Sequence, residues 1–499
     1  MARLYFFAIG GTGARVLRAL THLLATGLDM GNFELVPVMI DADQQNGDTR
    51  RALTALNLYR RLREGYASDV PGKGDFFATP VIRPGEALGA QGAAVHMLTD
   101  FNLSLQDVAD RTFKDYIRLS ALSPESQAMA RLLFSETDLS SHMVVGFEGR
   151  PHMGTVVLNQ LPQSTYYRNF AQSFAEGDRI FIAGSIFGGT GAAGLPVLVK
   201  NIREATLDGN QAANLRNAPI GALVALPYYG LQDAETGKGI DGHKFRTMAK
   251  AALSYYEKNL IKNGTINRLY TIGDDPHAQY PNEKGGDKQT NPAHLVEIAA
   301  ALAVADFATA SSGDMITNNG RAQSPSVLEF GTKNPPTGHR VLFDDLAQAT
   351  RQKVERGLTK YLLFEHYIRR YFADRAEKLG TKGDPVQFDE RFRQLAWFQD
   401  LEKYNQDFAI FLGELARNKD AFHPFAIQGV DGGYQPTEED IMSLVYGRKH
   451  RPGLFGKSGP TLITDEAYKA AKANKSTAAE KAPLRFLQIF NKALEAVLD

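Results

Sequence analysis

Three glycine-rich segments of the sequence contain the residue types that could bind a chain of phosphates. Each follows a short apolar run, and the segments cover residues 10–13, 146–154 and 184–194. Because glycine has no Cβ atom, the backbone of such a segment can approach an anion closely. A helix that starts after the segment adds unpaired N–H groups that carry partial positive charge. Three such segments at one edge of a sheet would offer more donors than a single helix end.

We expect the phosphate contacts to come mainly from backbone N–H groups of these segments. The sequence has no P-loop pattern ending in Gly-Lys-Ser or Gly-Lys-Thr, so it lacks the lysine that such loops supply. The hydroxyl groups of Thr12, Ser185 and Thr190 are further donors. The residues predicted to bind the nucleotide through these segments are Gly10, Gly11, Thr12, Gly13, Gly146, Gly149, Gly188, Gly189, Thr190 and Gly191.

Four charged residues near these segments each have more than one interpretation. Asp41 and Asp43 follow the apolar run at residues 35–40. They can hold Mg²⁺ through water, and Asp41 can instead cap a helix. Arg15 falls in the first turn of a predicted helix, where it can stack on a base, reach a phosphate or lie at the surface. Arg150 can contact the terminal phosphate by charge or be a solvated surface residue.

A dinucleotide site is the main alternative for the first segment. Residues 10–13, followed by Asp41 after a second apolar run, imitate a Rossmann fingerprint in which the acid holds a ribose hydroxyl. The spacing of about 30 residues is a little long for that fingerprint but tolerable. This alternative would make the chain an NAD(P)-dependent oxidoreductase, and it leaves the second and third glycine segments unexplained.

Alternating strand and helix patterns predict the framework that positions these segments. Apolar, strand-like runs occur at residues 4–9, 35–40, 179–183, 220–226 and 268–272. Such runs, separated by helical patterns, are typical of a parallel sheet covered on both faces, whose ligands bind beyond the carboxyl ends of the strands. We therefore predict an α/β domain over residues 1–320, with an insertion at about 48–140, and a mainly helical region over residues 321–499.

Composition argues against several other classes of protein. The chain has 499 residues, which is too long for one ordinary core, so two or more domains are expected. Hydrophobic residues make up 43% of it, an ordinary share for a globular protein. Basic and acidic residues number 56 each, which argues against a dedicated nucleic-acid binder and permits self-association. Cysteine is absent, so disulfide and thiolate chemistry are excluded. No apolar run approaches the roughly 18 residues of a membrane span, and no secretory signal is visible, so we expect a cytoplasmic protein.

Several segments resemble motifs of tubulin and its bacterial cell-division homologue. Residues 188–194, Gly-Gly-Thr-Gly-Ala-Ala-Gly, resemble the tubulin signature loop GGGTG[ST]G, with Phe187 in place of one glycine of the triplet. The other matching segments occur in the order of the family: the first phosphate loop at residues 10–13, the NTDxQ segment at 40–44, the γ-phosphate loop at 146–154, the ribose-side loop at 224–230 and the start of the central helix at 293–296.

This resemblance covers about residues 1–315 and implies a tubulin-like fold that binds GTP. Ala293 stands where many tubulins carry the guanine-reading residue, and Asn291 can substitute for it, so the residues do not distinguish GTP from ATP. In the family, an acidic residue after the central helix completes the site of the next subunit. Asp314 is the candidate for this catalytic role, with Asp306 as the weaker alternative and a simple loop or capping role for Asp314 also open.

Two functional hypotheses follow from the resemblance to a divergent bacterial tubulin-like group. In the first, the protein assembles with itself head to tail into filaments, with nucleotide at the subunit interface and slow GTP hydrolysis. In the second, the nucleotide is a conformational switch and the helical C-terminal region docks a protein partner. The sequence does not indicate the cellular process.

Overall fold

The computed structural model describes residues 1–43, 46–66, 71–87, 102–104, 111–143, 147, 149–207, 209–232, 242–274, 279–281, 286–287, 289–329, 340–379, 387–418, 422–445, 450, 456–473 and 481–499. Within these residues, parallel strands form one central sheet. In chain order they are β1 (Ala2–Ile9), β2 (Phe33–Asp41), β3 (Asn102–Ser104), β4 (Arg179–Ser185), β5 (Ile220–Ala225), β6 (Arg268–Ile272) and β7 (Ser326–Glu329). Their order in space is β7-β6-β5-β4-β1-β2-β3, and all neighbouring pairs are parallel.

Strand β1 lies in the interior of this sheet. It pairs with β2 from Ala2 opposite Phe33 to Ile9 opposite Ile40, and with β4 on its other side. Residues 4–9 are at most 2% exposed, as expected for a strand covered by helices on both faces. The parallel register brings the ends of β1, β2 and β4 together, and we call this side of the sheet the carboxyl edge. The opposite side, where the strands begin, is the amino edge.

Helices cover the sheet and build the rest of the described chain. Those of eight or more residues are α1 (Gly10–Ala25), α2 (Gly47–Glu64), α3 (Pro124–Leu133), α4 (Pro151–Leu158), α5 (Thr165–Ser173), α6 (Thr190–Arg203), α7 (Gly242–Tyr256), α8 (Leu295–Thr309), α9 (Gln348–Tyr367), α10 (Ala396–Arg417), α11 (Gly459–Ala473) and α12 (Ala482–Leu498).

Helix α8 runs along the sheet from the carboxyl edge to the amino edge. In its first turn Glu297 pairs with Arg15 of α1, and near its end Phe307 accepts a hydrogen bond of 2.7 Å from Arg179 at the start of β4. Almost all of its residues are buried. Its many alanines suit this place, because they favour helix and allow the backbone to approach its neighbours closely.

The helical C-terminal region packs directly on the first two helices. On α10, the Tyr404 hydroxyl donates to the Thr21 carbonyl of α1 (3.0 Å), and the Trp397 indole donates to the Leu62 carbonyl of α2 (3.1 Å). The aromatic residues of α10 that repeat at helical spacing are therefore core residues. The prediction of a parallel α/β sheet followed by a mainly helical region is confirmed.

Short strands are the elements that the sequence pattern does not indicate. The predicted insertion contains helical segments, including α3, but also β3, whose three residues are too few to show a periodicity. A two-stranded antiparallel hairpin, Ile427–Val430 with Gly433–Pro436, lies in the mainly helical region. The sequence of this hairpin predicts a loop, because its glycines interrupt the alternation of apolar and polar residues by which a strand is recognised.

Candidate phosphate-binding site

Two of the glycine segments lie on either side of the point where the strand order reverses. From β1 the chain proceeds outward to β2 and β3, and from β4 it proceeds outward in the other direction. In open parallel sheets this switch point leaves a crevice at the carboxyl edge where ligands bind. The first segment follows β1 and the third follows β4, so both border this crevice.

The first and third glycine segments touch each other across the crevice. A Cβ atom placed on Gly10 would lie 3.4 Å from the Thr190 Cβ atom and 3.6 Å from the Gly191 amide nitrogen. Gly10 has a φ angle of +66°, a left-handed conformation that favours glycine. Packing alone explains Gly13, since a Cβ atom there would lie 2.5 Å from the Ala8 carbonyl carbon.

The second segment joins the same group through its contact with the third. A Cβ atom on Gly189 would lie 3.0 Å from the Gly149 amide nitrogen and 3.0 Å from the Phe147 Cβ atom. Gly149 has a φ angle of +72°. Gly146, the remaining predicted member of this segment, lies outside the described residues. The structure thus brings Gly10, Gly149 and Gly189 into one cluster at the carboxyl edge.

Three helices begin at this cluster without a capping side chain. They are α1, α4 and α6, and within these described helices no side-chain cap and no acidic residue occurs in the first turn. Helix α2, by contrast, is capped by Asn46, whose side chain accepts from the Asp48 and Thr49 N–H groups. The first N–H groups of a helix have no partner within it, so three uncapped starts make this part of the edge favourable to an anion.

Hydroxyl groups occupy the inner wall of the cluster. Thr12, Ser185 and Thr190 are all buried. The Ser185 hydroxyl accepts a hydrogen bond of 3.2 Å from the Gly188 N–H group and so shapes the third segment. A Cβ atom on Gly191 would lie 2.8 Å from the Ser185 amide nitrogen, so the turn closes only with glycine there. Gly11 is less confined, since a Cβ atom there would meet only the Asn46 side-chain nitrogen, at 3.7 Å.

The two predicted acids lie at the end of β2. The Asp41 carboxylate is buried and accepts a hydrogen bond of 3.3 Å from the Asp43 N–H group. Burial raises the pKa of Asp41 to about 7. The Asp43 carboxylate accepts a hydrogen bond of 2.7 Å from the Gly286 N–H group, which ties the segment before α8 to this edge. Neither residue caps α2, because that role belongs to Asn46.

Arg15 is buried in α1 and does not lie at the surface. Its guanidinium is 2.5 Å from the Glu297 carboxylate and donates to the Pro292 carbonyl at 3.0 Å. It also stands 5.6 Å from the ring centre of Tyr228 and 5.5 Å from that of Tyr229. The side chain therefore joins α1 to α8 and to the loop after β5, and this aromatic pair flanks the crevice on the side of β5.

Asn291 lies beside the start of α2. Its N–H group donates to Asp48 at 3.1 Å, and its side-chain amide lies 3.5 Å from the same carboxylate. Burial raises the pKa of Asp48 to about 6. Asn291 is thus placed at the carboxyl edge together with the glycine cluster, although its amide is already engaged.

The side chain of Arg150 contacts residues of the insertion. Its guanidinium donates to the Ser141 hydroxyl and lies 3.4 Å from the Asp138 carboxylate. Asp138 also pairs with His152 at 3.3 Å. Arg150 therefore links the second glycine segment to residues 111–143.

Asp314 is the predicted site residue that the structure places far from the others. It follows α8 at the amino edge, and its exposed carboxylate lies 3.6 Å from the Arg268 guanidinium at the start of β6. A helix of the length of α8 spans about 22 Å at 1.5 Å per residue, so Asp314 lies across the domain from the glycine cluster. The alternative acid, Asp306, lies within α8 and pairs with both Arg268 and Lys353.

Two carboxylates near the site are not indicated by the sequence alone. Glu297 and His294 form a capping box at the start of α8. The sequence does not indicate it, because histidine is not one of the usual N-cap residues. Glu414 of α10 accepts from Arg18 of α1 at 2.9 Å, from Arg51 of α2 and from the Ala293 N–H group at 3.0 Å. No local pattern predicts Glu414, since each of these partners is more than 100 residues away in the sequence.

Among the residues described, no group of three or more His, Asp or Glu side chains is arranged to hold a metal ion. In the same part of the chain, no helix combines the length and the apolar character needed to cross a bilayer.

Comparisons with known proteins give structural neighbours only. No protein-family model matches the chain, and no curated protein matches it. A GTPγS-bound protofilament of CetZ2 from Haloferax volcanii aligns at 13% identity over 62% of this chain and 61% of that one, with a TM-score of 0.29. A GTPγS-form protofilament of TubZ from Bacillus thuringiensis serovar israelensis aligns at 11% identity over 61% and 55% of the two chains, with a TM-score of 0.26. Likenesses this distant carry no functional argument, so function is inferred from the site itself.

Proposed function

We propose that this chain is a tubulin-like protein that binds a purine nucleoside triphosphate, GTP, at the carboxyl edge of its sheet. The observation that carries the proposal is the contact of three glycine segments around three uncapped helix starts, from Gly10 to Thr190 and from Gly189 to Gly149. A triphosphate has more oxygens than one helix end can satisfy, so a cluster of this kind fits it better than a single phosphate.

The base would lie on the side of β5, near Arg15 and the mutually perpendicular rings of Tyr228 and Tyr229. Aromatic rings and a guanidinium plane can both stack on a purine. Asn291 is the residue predicted to contact the base. Its side-chain amide lies 3.5 Å from the Asp48 carboxylate, so a purine would compete with Asp48 for this amide. This arrangement does not separate GTP from ATP, so the choice of GTP rests on the resemblance of the signature loop.

A divalent cation such as Mg²⁺ would be held by Asp41 or Asp43 through water, together with the phosphates. Mg²⁺ needs only one or two protein carboxylates when phosphates supply the rest of its ligands. The Asp41 carboxyl group is buried, and burial raises its pKa to about 7 when no cation is bound. A nearby cation would favour its charged form.

Assembly head to tail would bring Asp314 of one copy to the nucleotide of the next. Asp314 and the glycine cluster lie on opposite edges of the domain, as a repeating contact between unlike surfaces requires. Asp314 is exposed, so it is available to a neighbouring copy, where it would position the attacking water. Hydrolysis of GTP would then be slow for a single chain and faster in the assembly.

The alternative is a nucleotide switch that does not polymerise and that presents the helical C-terminal region to a protein partner. One feature favours it: Glu414 of α10 binds Arg18 of α1 and Arg51 of α2. Because α1 begins at the first glycine segment, a shift of α1 on nucleotide binding would change the contact between Arg18 and Glu414 and so act directly on α10. The dinucleotide alternative has no such support, since it uses only the first glycine segment and Asp41.

Calorimetry with GTP, ATP and NAD⁺ tests the proposal on the purified full chain. We expect saturable binding of GTP that is strengthened by Mg²⁺ and weak or absent binding of NAD⁺. Tight binding of NAD⁺ alone would replace the proposal with the oxidoreductase alternative. Sedimentation with and without nucleotide then separates the assembling protein from the switch.

A further inference from the structure

Helix α3 carries an apolar face that is open to solvent. Met129, Leu132 and Leu133 are 56%, 81% and 63% exposed. They are spaced by three and four residues, so they share one face of the helix. The helix itself is well formed, with Ser123 as its N-cap and Pro124 at its first position. Exposed apolar side chains that share one face of a helix are typical of an interaction surface.

The segment that carries this apolar face is attached to the second glycine segment. The segment at residues 111–143, which contains α3, is fastened to the second glycine segment by the stacking of Phe134 on His152 (5.6 Å between ring centres). Asp138 pairs with His152 and Arg150 at 3.3 and 3.4 Å. Since the second segment touches the third at the carboxyl edge, α3 is held at that same edge.

A second exposed apolar group lies at the amino edge. Ile316 is 48% exposed and comes two residues after Asp314, and Val327 of the edge strand β7 is 52% exposed. The Ile316 carbonyl accepts from the Gln323 N–H group, which places this loop close to the start of β7. The amino edge of the domain therefore presents apolar side chains next to the proposed catalytic acid.

We infer that the apolar face of α3 packs on Ile316 and Val327 of a second copy of this chain. The inference rests on the proposed head-to-tail assembly and names the surfaces that meet in it. Two different apolar surfaces on opposite edges form a heterologous contact, which repeats from copy to copy without closing unless its rotation makes a ring. If α3 bound a membrane, or paired with α3 of a second copy in a symmetric dimer, the exposed apolar group at Ile316 and Val327 would have no part in the contact. The contact also places Asp314, two residues from Ile316, toward the glycine cluster of the neighbour.

The fastening of α3 to the second glycine segment makes this contact sensitive to nucleotide. Arg150 binds Ser141 and Asp138, both in the segment that carries α3. A terminal phosphate near Gly149 would compete with these groups for the guanidinium. The position of α3, and with it the strength of the contact, would then differ between the triphosphate and diphosphate states.

The test uses the full chain with GTPγS, a double variant Leu132→Gln/Leu133→Gln and a matched control, Tyr468→Gln. Glutamine keeps the helix propensity of these positions, and Tyr468 is an exposed apolar residue on α11, 41% exposed and outside the proposed contact. Sedimentation over a range of protein concentrations measures assembly, and calorimetry measures GTPγS binding. We expect the double variant to bind GTPγS like the unaltered chain and to need about tenfold more protein, or more, to assemble. Ile316→Gln should act in the same direction, and Tyr468→Gln should not.

The outcomes separate this inference from the proposed function. If the unaltered chain assembles and the double variant assembles at the same concentration, the α3 contact is wrong and the assembly stands. If the unaltered chain binds GTPγS but remains monomeric at every concentration, the head-to-tail assembly fails and the α3 contact fails with it. A mixture of the double variant with Ile316→Gln should contain dimers but no long polymers, because each copy keeps only one intact surface.

Discussion

Gly189 and Gly149 are in contact at the carboxyl edge, although they belong to different glycine segments. A Cβ atom on Gly189 would lie 3.0 Å from the Gly149 amide nitrogen, a distance tighter than most real Cβ contacts. A side chain at position 189 would therefore require the second segment to move away by a few tenths of an ångström or more. The same closeness brings the backbones of both segments into one small region, which is the basis of the proposed triphosphate site.

The double variant Gly189→Val/Thr190→Val tests this closeness. The valine side chain at position 189 would push the second segment away, and the loss of the Thr190 hydroxyl would remove a donor. We expect GTP affinity in calorimetry to fall by at least about tenfold, with far-UV circular dichroism unchanged. Gly313→Val is the control, because a Cβ atom there would meet nothing nearer than the Ser311 hydroxyl at 3.8 Å. Unchanged affinity in the folded double variant would contradict the assignment of this loop.

The buried pair of Arg15 and Glu297 should contribute strongly to stability. Arg15→Gln leaves the Glu297 carboxylate buried without its cation, which costs about 3–5 kcal/mol in comparable pairs. The free energy of unfolding from denaturant titration measures this loss. Arg61→Gln is the matched control: Arg61 pairs with Asp400 at 2.5 Å but is half exposed, so its loss should cost about 1 kcal/mol or less. Equal losses for the two variants would show that burial does not strengthen the Arg15 pair.

Asp41 should make the unliganded protein less stable as the pH rises toward neutrality. Burial raises its pKa in the folded state from 3.8 to about 7, so the folded protein retains a proton that the unfolded chain has already lost. The stabilisation of the folded state by this proton is fully present below about pH 4 and is lost as the pH rises through about 7. A pKa shift of this size corresponds to roughly 4 kcal/mol in the free energy of unfolding.

The variant Asp41→Asn isolates this effect, because asparagine does not titrate. We expect its free energy of unfolding, relative to the unaltered chain, to increase between pH 4 and pH 7. Glu438→Gln, the same carboxyl-to-amide change at an exposed position, serves as the matched control. A relative stability of Asp41→Asn that stays constant over this range would mean that Asp41 is not held in its neutral form by burial.

Asp314 should affect GTP hydrolysis without affecting GTP binding. It lies across the domain from the glycine cluster, so Asp314→Asn should leave calorimetric affinity unchanged. If Asp314 positions the attacking water of a neighbouring copy, phosphate release in the assembled state should fall by about 100-fold or more. The rate per chain of the unaltered protein should also rise with protein concentration. A hydrolysis rate that is independent of concentration and of Asp314 would contradict the shared site.

The sheet was predictable because its strands are buried on both faces. Residues 4–9 and 179–183 form nearly continuous apolar runs for that reason, and the glycines after them mark where each run ends. Strand β3 and the hairpin at Ile427–Val430 were not predictable, since short or glycine-containing strands leave no periodic signal.

The glycine cluster was predictable, but the environment of the charged side chains was not. Gly10 and Gly189 follow strands, and the parallel topology alone brings strand ends together. By contrast, whether Arg15 reaches the crevice or pairs with Glu297 depends on how α1 and α8 pack, which no local pattern encodes. The same holds for Arg150, whose partners Ser141 and Asp138 come from the insertion.

A structure of the full chain with GTPγS and Mg²⁺, by crystallography or cryo-EM, tests the central claim most directly. We predict that the phosphates lie within hydrogen-bonding distance, about 3 Å, of backbone N–H groups from all three segments, around Gly11, Gly149 and Gly189. A nucleotide bound elsewhere, or one that contacts only the first segment, would contradict the shared phosphate site and the function proposed from it.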